Sequence, residues 1–440
     1  MTYTEAEFRV RRLGECAVRS PIELSKINDD WIANYVTDDE RVVYRIDVDA
    51  KAGQMALEQA GLFEKAGPRE RIFFDPARVH AAVLTAGGLC PGLNDVIRSI
   101  VMTLWHRYGV RQIDGVRFGY RGLYNNDESL RFPLNPETVR DIHRTGGTIL
   151  GSSRGGGDRI ADMAGACRER EINVLFCIGG DGTQKGALAL AREITKGDVP
   201  CAVVGIPKTI DNDLSFVERS FGFDTAVSEA VPAVQAAHTE ARAAVNGVGI
   251  VKVMGRQSGF IAAHTALAQN DVNFVLIPEV PFVLQGENGL LAHLDRRLQA
   301  RHHAVILVAE GAGQELLAAT NQADASGNAK LADIGPFLCD QIRDYFKRLK
   351  REVNIKYIDP SYIIRSAPTI ANDSIYCQRL GAHAVHAAMA GRSECLVGLV
   401  NERFVHVPMA LAAGKRNNVD PESALWRDVV EATGQPPLMR

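Results

Sequence analysis

The chain has 440 residues, too many for one simple core, so two domains are expected. Apolar residues make up 46% and charged residues 23%, ordinary for a globular protein, and the net charge is −3. That balance excludes a global attraction to nucleic acid or an anionic membrane, so any anion site must be local. Eight scattered cysteines without CxxC spacing read as reduced, packed thiols. No apolar stretch reaches 18 residues and the N-terminus has no apolar run of the secretory type, so a cytoplasmic location is expected.

Residues 1–78 are charged and irregular, and predict a surface extension that docks through Phe73 and Phe74. The charge run EKAGPRERIF (64–73) reads as a solvated face. From Ala81 the pattern becomes regular: a strand at AAVLTAGG, a helix over 94–105, a second strand region at VRQIDGVRFGY, and helical spacing over 138–144 and 159–170. Strands at 173–178 and 201–206 flank a helix over 184–194. A second series begins near Phe223, with a helix over 226–245, strands at 247–255, 273–279 and 303–311, and helices over 287–301 and 335–350. The run 394–408 could return to the first sheet. Strands alternating with helices imply βαβ units, parallel sheets and an α/β class.

Three strand-like runs stop abruptly at residues that expose backbone N–H groups or carboxylates, and ligands of open α/β sheets bind beyond such ends. GGLCPG (87–92) suits either close approach to phosphate or a tight strand–helix turn. GGDGT (179–183) offers open backbone, a hard oxygen on Asp181 for Mg²⁺, and Thr183 as helix cap or phosphate contact. TIDND (209–213) sets two carboxylates one residue apart, where one could take a proton from an attacking hydroxyl. Lys185 could face phosphate or solvent, and His264 reads as a hydrogen-bonded core residue.

GGLCPG, GYRGLY (119–124), GGTILGSSRGG (146–156), GGDGT, PKTIDND (207–213), FGFDTA (221–226) and VMGRQSG (253–259) together resemble the 6-phosphofructokinase family, in the family's order across roughly 80–408. AGPRERIFFDP, MGRQSGFIAAHTALA and YIDPSYIIRS are most similar to its longer plant- and trypanosome-type, ATP-dependent branch, which carries an N-terminal extension. The resemblance implies two Rossmann-like parallel-sheet domains with the active site in the cleft between them. It divides the chain into an extension (1–78), a phosphoryl-donor domain (79–221 and 366–408) and a sugar-phosphate domain (222–365 and 409–440).

The implied reaction moves the γ-phosphoryl of Mg-ATP to the 1-hydroxyl of fructose 6-phosphate, with Asp211 as base and Thr209 and Asp213 beside it. Asp181 would hold Mg²⁺, while Gly88, Tyr120, Gly182, Thr183 and Lys208 would line the donor and Arg154 would span donor and transition-state charge. Met254, Gly255, Arg256, Glu310 and Arg365 match sugar-phosphate positions, with Lys356 and Tyr362 near them. A homo-oligomer, dimer or tetramer, is also implied.

Short bacterial members have arginine at the positions of Gly247 and Lys356, and histidine at Tyr362. Lys356 can still supply a cation, and Gly247 cannot. Pyrophosphate users carry aspartate where Gly182 stands, which would repel an α-phosphate, so Gly182 favours ATP; Lys208 is the residue of the pyrophosphate users. A pyrophosphate-dependent transferase, a non-catalytic sugar-phosphate sensor, and an NAD or lipid kinase, which shares GGDGT but not PKTIDND or MGRQSG, are the alternatives.

Overall fold

The runs VLFCIG and AVVGIP carry no charged side chain and form the fully buried parallel strands Val174–Gly179 and Ala202–Pro207. Such strands need cover on both faces, which the intervening helices provide. The structure is a computed structural model that describes residues 4–46, 61–197, 199–317 and 331–440. It divides into two units: Met1–Thr209, Leu214–Gly222 and Ala371–Lys415, and Ile210–Asp213, Phe223–Ile370 and Arg416–Arg440.

In the first unit the largest sheet among the described residues has a parallel centre that runs Cys395–Val400, Ala202–Pro207, Val174–Gly179, His80–Thr85, Gln112–Val116. The run 394–408 does return to this sheet: Cys395–Val400 pairs with Ala202–Pro207, and Arg403–Pro408 folds back on it antiparallel. The N-terminal segment then adds two antiparallel edge strands, Leu62–Lys65 and Arg41–Val43.

The extension is therefore part of the sheet as well as docked upon it. Phe73 and Phe74 do dock, both backbone N–H groups donating to the Met389 carbonyl. The charge run of this segment is not a solvated face. Glu64 and Arg69 are buried, and Arg392 joins them: Glu64 Oε1 lies 2.8 Å from Arg392 Nε and 3.2 Å from Arg69 Nη2. Mutual neutralisation permits burial that the residue types alone argue against.

The helical spacing over 138–144 becomes only a short turn, Ile142–Arg144, because Gly146 and the left-handed Gly147 follow before a stable helix length is reached. The helix after Val174–Gly179 starts earlier than the pattern predicts, at Asp181, so the DGT of GGDGT forms its first turn.

The described residues of the second unit form a parallel sheet in the order Phe274–Leu276, His303–Ala309, Gly247–Val253, Asn354–Ile358. Side chains alternate across it. Val251, Val253, Val275, Val305 and Leu307 pack on one face with the helices Phe223–Ala243, Phe260–Ala268 and Ala424–Thr433. Val248, Ile250, Phe274, Leu276, Ile306 and Val308 pack on the other with Leu290–Arg301 and Ile334–Arg348. Pro278 cannot donate to a ladder, and the strand expected over 273–279 stops at Leu276. His264 is hydrogen-bonded to Phe260 O at 2.9 Å, as expected of a core histidine.

Candidate active site

In the first unit the glycine loops meet beyond the carboxyl ends of neighbouring strands. Gly87, at φ +92°, donates to Ser153 O at 3.0 Å and accepts from Ser152 Oγ at 2.6 Å. These bonds tie GGLCPG to GSSRGG and bring Gly88 to Arg154: a Cβ added at Gly88 would lie 3.9 Å from Arg154 Nη2. One added at Gly87 would lie 3.5 Å from Lys208 Nζ. Lys208 is buried, and its N–H donates to Gly179 O at 3.0 Å.

Gly180 caps the helix that opens at Asp181. A carboxylate in a first helical turn faces the positive end of the helix dipole. Asp181 Oδ2 pairs with Lys185 Nζ at 2.8 Å, and Oδ1 accepts from Gly414 N at 2.7 Å. Its side chain keeps 18% exposure. Lys185 thus faces a carboxylate directly.

Gly182 is exposed, and a Cβ there would meet nothing within 4 Å. Thr183 is buried against Gly179, and its carbonyl accepts from the Tyr120 hydroxyl at 2.6 Å. Tyr120 is itself buried in the core, and burial pushes its phenol well above the usual range. Thr209 belongs to the same unit, its carbonyl accepting from Ser220 Oγ at 2.5 Å.

In the second unit the carboxylate loop turns at Asn212, at φ +54°. Asp211 O accepts from Ser258 Oγ at 3.2 Å, joining this loop to MGRQSG. Asp213 Oδ2 lies 3.1 Å from Arg416 Nη1, and Asp213 O accepts from Asn417 N at 2.9 Å. Gly255, at φ +125°, admits no side chain, since a Cβ would lie 2.5 Å from Ser258 O. Met254 is buried.

Glu310 starts the loop after His303–Ala309, its N–H donating to Val253 O at 2.9 Å. Burial pushes its carboxyl up, against the pull of Lys252, Arg256 and Arg365, so Glu310 and these three cations share one neighbourhood. Arg365 stacks over the Tyr362 ring at 4.9 Å, and Tyr362 is 80% exposed. Lys356 stands apart on Asn354–Ile358, 3.6 Å from Glu240.

Among the described residues no group of three or more His, Cys, Asp or Glu is arranged to hold a metal. Asp181 is a lone, partly exposed carboxylate with lone pairs beyond its two contacts. That donor set does not cage a metal, but it suits Mg²⁺, which is held by one or two carboxylates plus phosphate oxygens and water.

Residues 80–388 match the family described as phosphofructokinase. The chain is 51% identical over 441 residues to the ATP-dependent 6-phosphofructokinase of Borreliella burgdorferi, covering 99% of this chain and 98% of the relative. The chain belongs to the phosphofructokinase family. The ATP-dependent 6-phosphofructokinase of Trypanosoma cruzi is 46% identical over 375 residues, 84% of this chain and 76% of that one. Among solved structures, a pyrophosphate-dependent phosphofructokinase from Marinobacter aquaeolei superposes with a TM-score of 0.65 at 21% identity, over 82% of this chain and 92% of that one. At that identity the likeness speaks for the phosphofructokinase fold alone.

A Cβ at Gly247 would collide with the Ala241 carbonyl oxygen, so no side chain fits there. Sequence reasoning missed two supporting residues. Buried Gln184 donates to Gly179 O at 2.8 Å and Ile206 O at 3.2 Å, clamping two strand ends; Gly205, whose Cβ would collide with the Gln184 amide, was its available signal. Glu279 Oε1 accepts from Gly259 N at 2.9 Å and Val419 N at 2.8 Å, and nothing local in the sequence announces it.

Proposed function

We propose that this phosphofructokinase transfers the γ-phosphoryl of ATP to the 1-hydroxyl of fructose 6-phosphate, giving fructose 1,6-bisphosphate. The observation that carries the choice of donor is Gly182. It is exposed in the first turn of a helix and has open space where a side chain would stand, so its backbone is accessible to a polyphosphate. The names of the full-length relatives support the same reading.

In this reading Gly88, Gly182, Thr183 and Lys208 receive the donor phosphates, Tyr120 supports the helical turn that carries Thr183, and Arg154 neutralises charge that develops on the transferring group. Asp181 would hold Mg²⁺, which when bound supplies charge neutralisation to the phosphates. Asp211 accepts the proton of the sugar hydroxyl, with Asp213 and Thr209 fixing the loop. Arg256, Glu310 and Arg365, over Met254 and Gly255, hold the sugar phosphate, with Tyr362 stacked on Arg365 and Lys356 as an outlying cation. Little covalent chemistry is asked of the protein, because phosphoryl transfer depends on positioning and charge.

Two further parts of the reading are a homo-oligomer, supported by the exposed Tyr362 and Ile363 of Ser361–Ser366, and a cytoplasmic location, supported by eight free thiols. No helix among the described residues is long and apolar enough to cross a membrane. The second reading, pyrophosphate as donor, rests on Lys208 beside Gly87. Initial rates with fructose 6-phosphate and Mg²⁺, ATP and pyrophosphate side by side, decide between them. A strong ATP preference is expected; a pyrophosphate preference would overturn the donor, and no rate with either would favour the sensor.

A further inference from the structure

The stretch RNNV (416–419) has neither periodicity nor a recognisable motif, yet each of its residues grips a loop of the second unit. Arg416 Nη1 lies 3.1 Å from Asp213 Oδ2, and Asn417 N donates to Asp213 O at 2.9 Å. With its amide turned so that the NH₂ faces two carbonyls, Asn418 donates to Gln257 O at 3.0 Å. Val419 N donates to Glu279 Oε1 at 2.8 Å, the oxygen that also takes Gly259 N. Val419 is itself buried with Trp426 and Val429 of the helix Ala424–Thr433, so the stretch is anchored in the core.

Its targets are the two loops that the proposed chemistry needs in fixed register. TIDND carries Asp211, two residues from Asp213, through a left-handed turn at Asn212. MGRQSG carries Arg256 beside Gln257 and Gly259. Loops beyond strand ends move more than the elements they join, and an error of about 1 Å at a reacting group costs roughly 100-fold in rate. The Arg416–Asp213 pair is partly exposed, and exposed pairs add only about 0–1 kcal/mol to stability. Its consequence lies in position.

We propose that Arg416–Val419 is a positioning strap that holds the base loop against the sugar-phosphate loop, with Arg416 as its positioning residue. The inference rests on Asp211 being the base. Full-length R416A, R416K, D213N, R416A/D213N and D211N test it by kcat, by KM for each substrate and by Tm. R416A is expected to lower kcat by about 10- to 100-fold. KM for ATP should stay within about two-fold and Tm should hold, as for an exposed pair. R416K should recover part of kcat, and the double variant should lose no more than its worse single, since each single already breaks the Arg416–Asp213 pair.

Wild-type kcat in R416A, a loss that only follows the folded fraction, or additive losses in the double variant would overturn the strap. D211N failing to lower kcat would overturn the base assignment instead, a result distinct from any R416A outcome.

Discussion

Glu64 and Asp181 are both carboxylates of the first unit, and they are held in different ways. Glu64 is 5% exposed and lies among Arg69, Arg392, Arg12 and His406. Asp181 keeps 18% exposure with one lysine and one backbone N–H. Asp213, in the second unit, is also partly exposed, and Arg416 lies 3.1 Å from it. A buried carboxylate requires compensation on every side. A carboxylate meant for ligand or proton keeps lone pairs in reach of solvent. Cation number and burial therefore separate charge that holds the fold from charge available for chemistry.

The largest effect that would sharpen this contrast is on Glu64. E64Q leaves two buried arginines short of a counter-charge, and breaking such a pair costs about 3–5 kcal/mol. Urea unfolding should show that loss while kcat per folded molecule is kept; unchanged stability would break the comparison. Gly182→Asp is the converse. Like charges brought together cost several kcal/mol, so kcat/KM for ATP should fall by about 100-fold. The open space at Gly182 predicts an unchanged Tm; a fall in Tm that accounts for the lost rate would refute the assignment.

Acid should act on the first unit in the same sense as E64Q. Burial would raise the Glu64 carboxyl, but the hydrogen bond with His406 and the charges of Arg392 and Arg69 outweigh it and hold it well below the usual range. Burial also depresses His406, and His386 down to about 3. In each case the unfolded chain binds the proton more readily, so stability falls as pH drops. The histidines act first, from about pH 6.5 downward, and Glu64 joins below about pH 4.5. Tm should fall between pH 7 and pH 5, and a flat Tm would show that these histidines are not buried neutral. The smallest effect is at Tyr120, whose hydroxyl donates to Thr183 O. Y120F should cost about 1 kcal/mol of stability, read by Tm; a cost near zero would mean the bond adds nothing.

Much of this was legible because apolar runs and glycine punctuation are local. The strands at 173–178 and 201–206, the return of 394–408 and the loops GGLCPG and GGDGT all declare themselves within a few residues. What escaped was partnership over distance. Glu64 and Arg69 look like a solvated charge run until Arg392, 328 residues from Glu64, is folded against them. Arg416 lies 203 residues from Asp213, in a stretch with no pattern of its own. Glu279 shows no sign locally of the two N–H groups it accepts. Burial of a charge and the bracing of a loop are properties of pairs, and one strand of text shows only single members.

The most direct test of the account is D211N in the full chain, with fructose 6-phosphate binding, single-turnover phosphoryl transfer from ATP, and Tm measured on one preparation. The account predicts retained sugar-phosphate binding, an unchanged Tm and a chemical step slowed by about 100- to 10,000-fold, the range of a lost general base. Transfer at the wild-type rate would contradict it, and the carboxylates of this loop would then belong with Glu64 as charge that holds the fold.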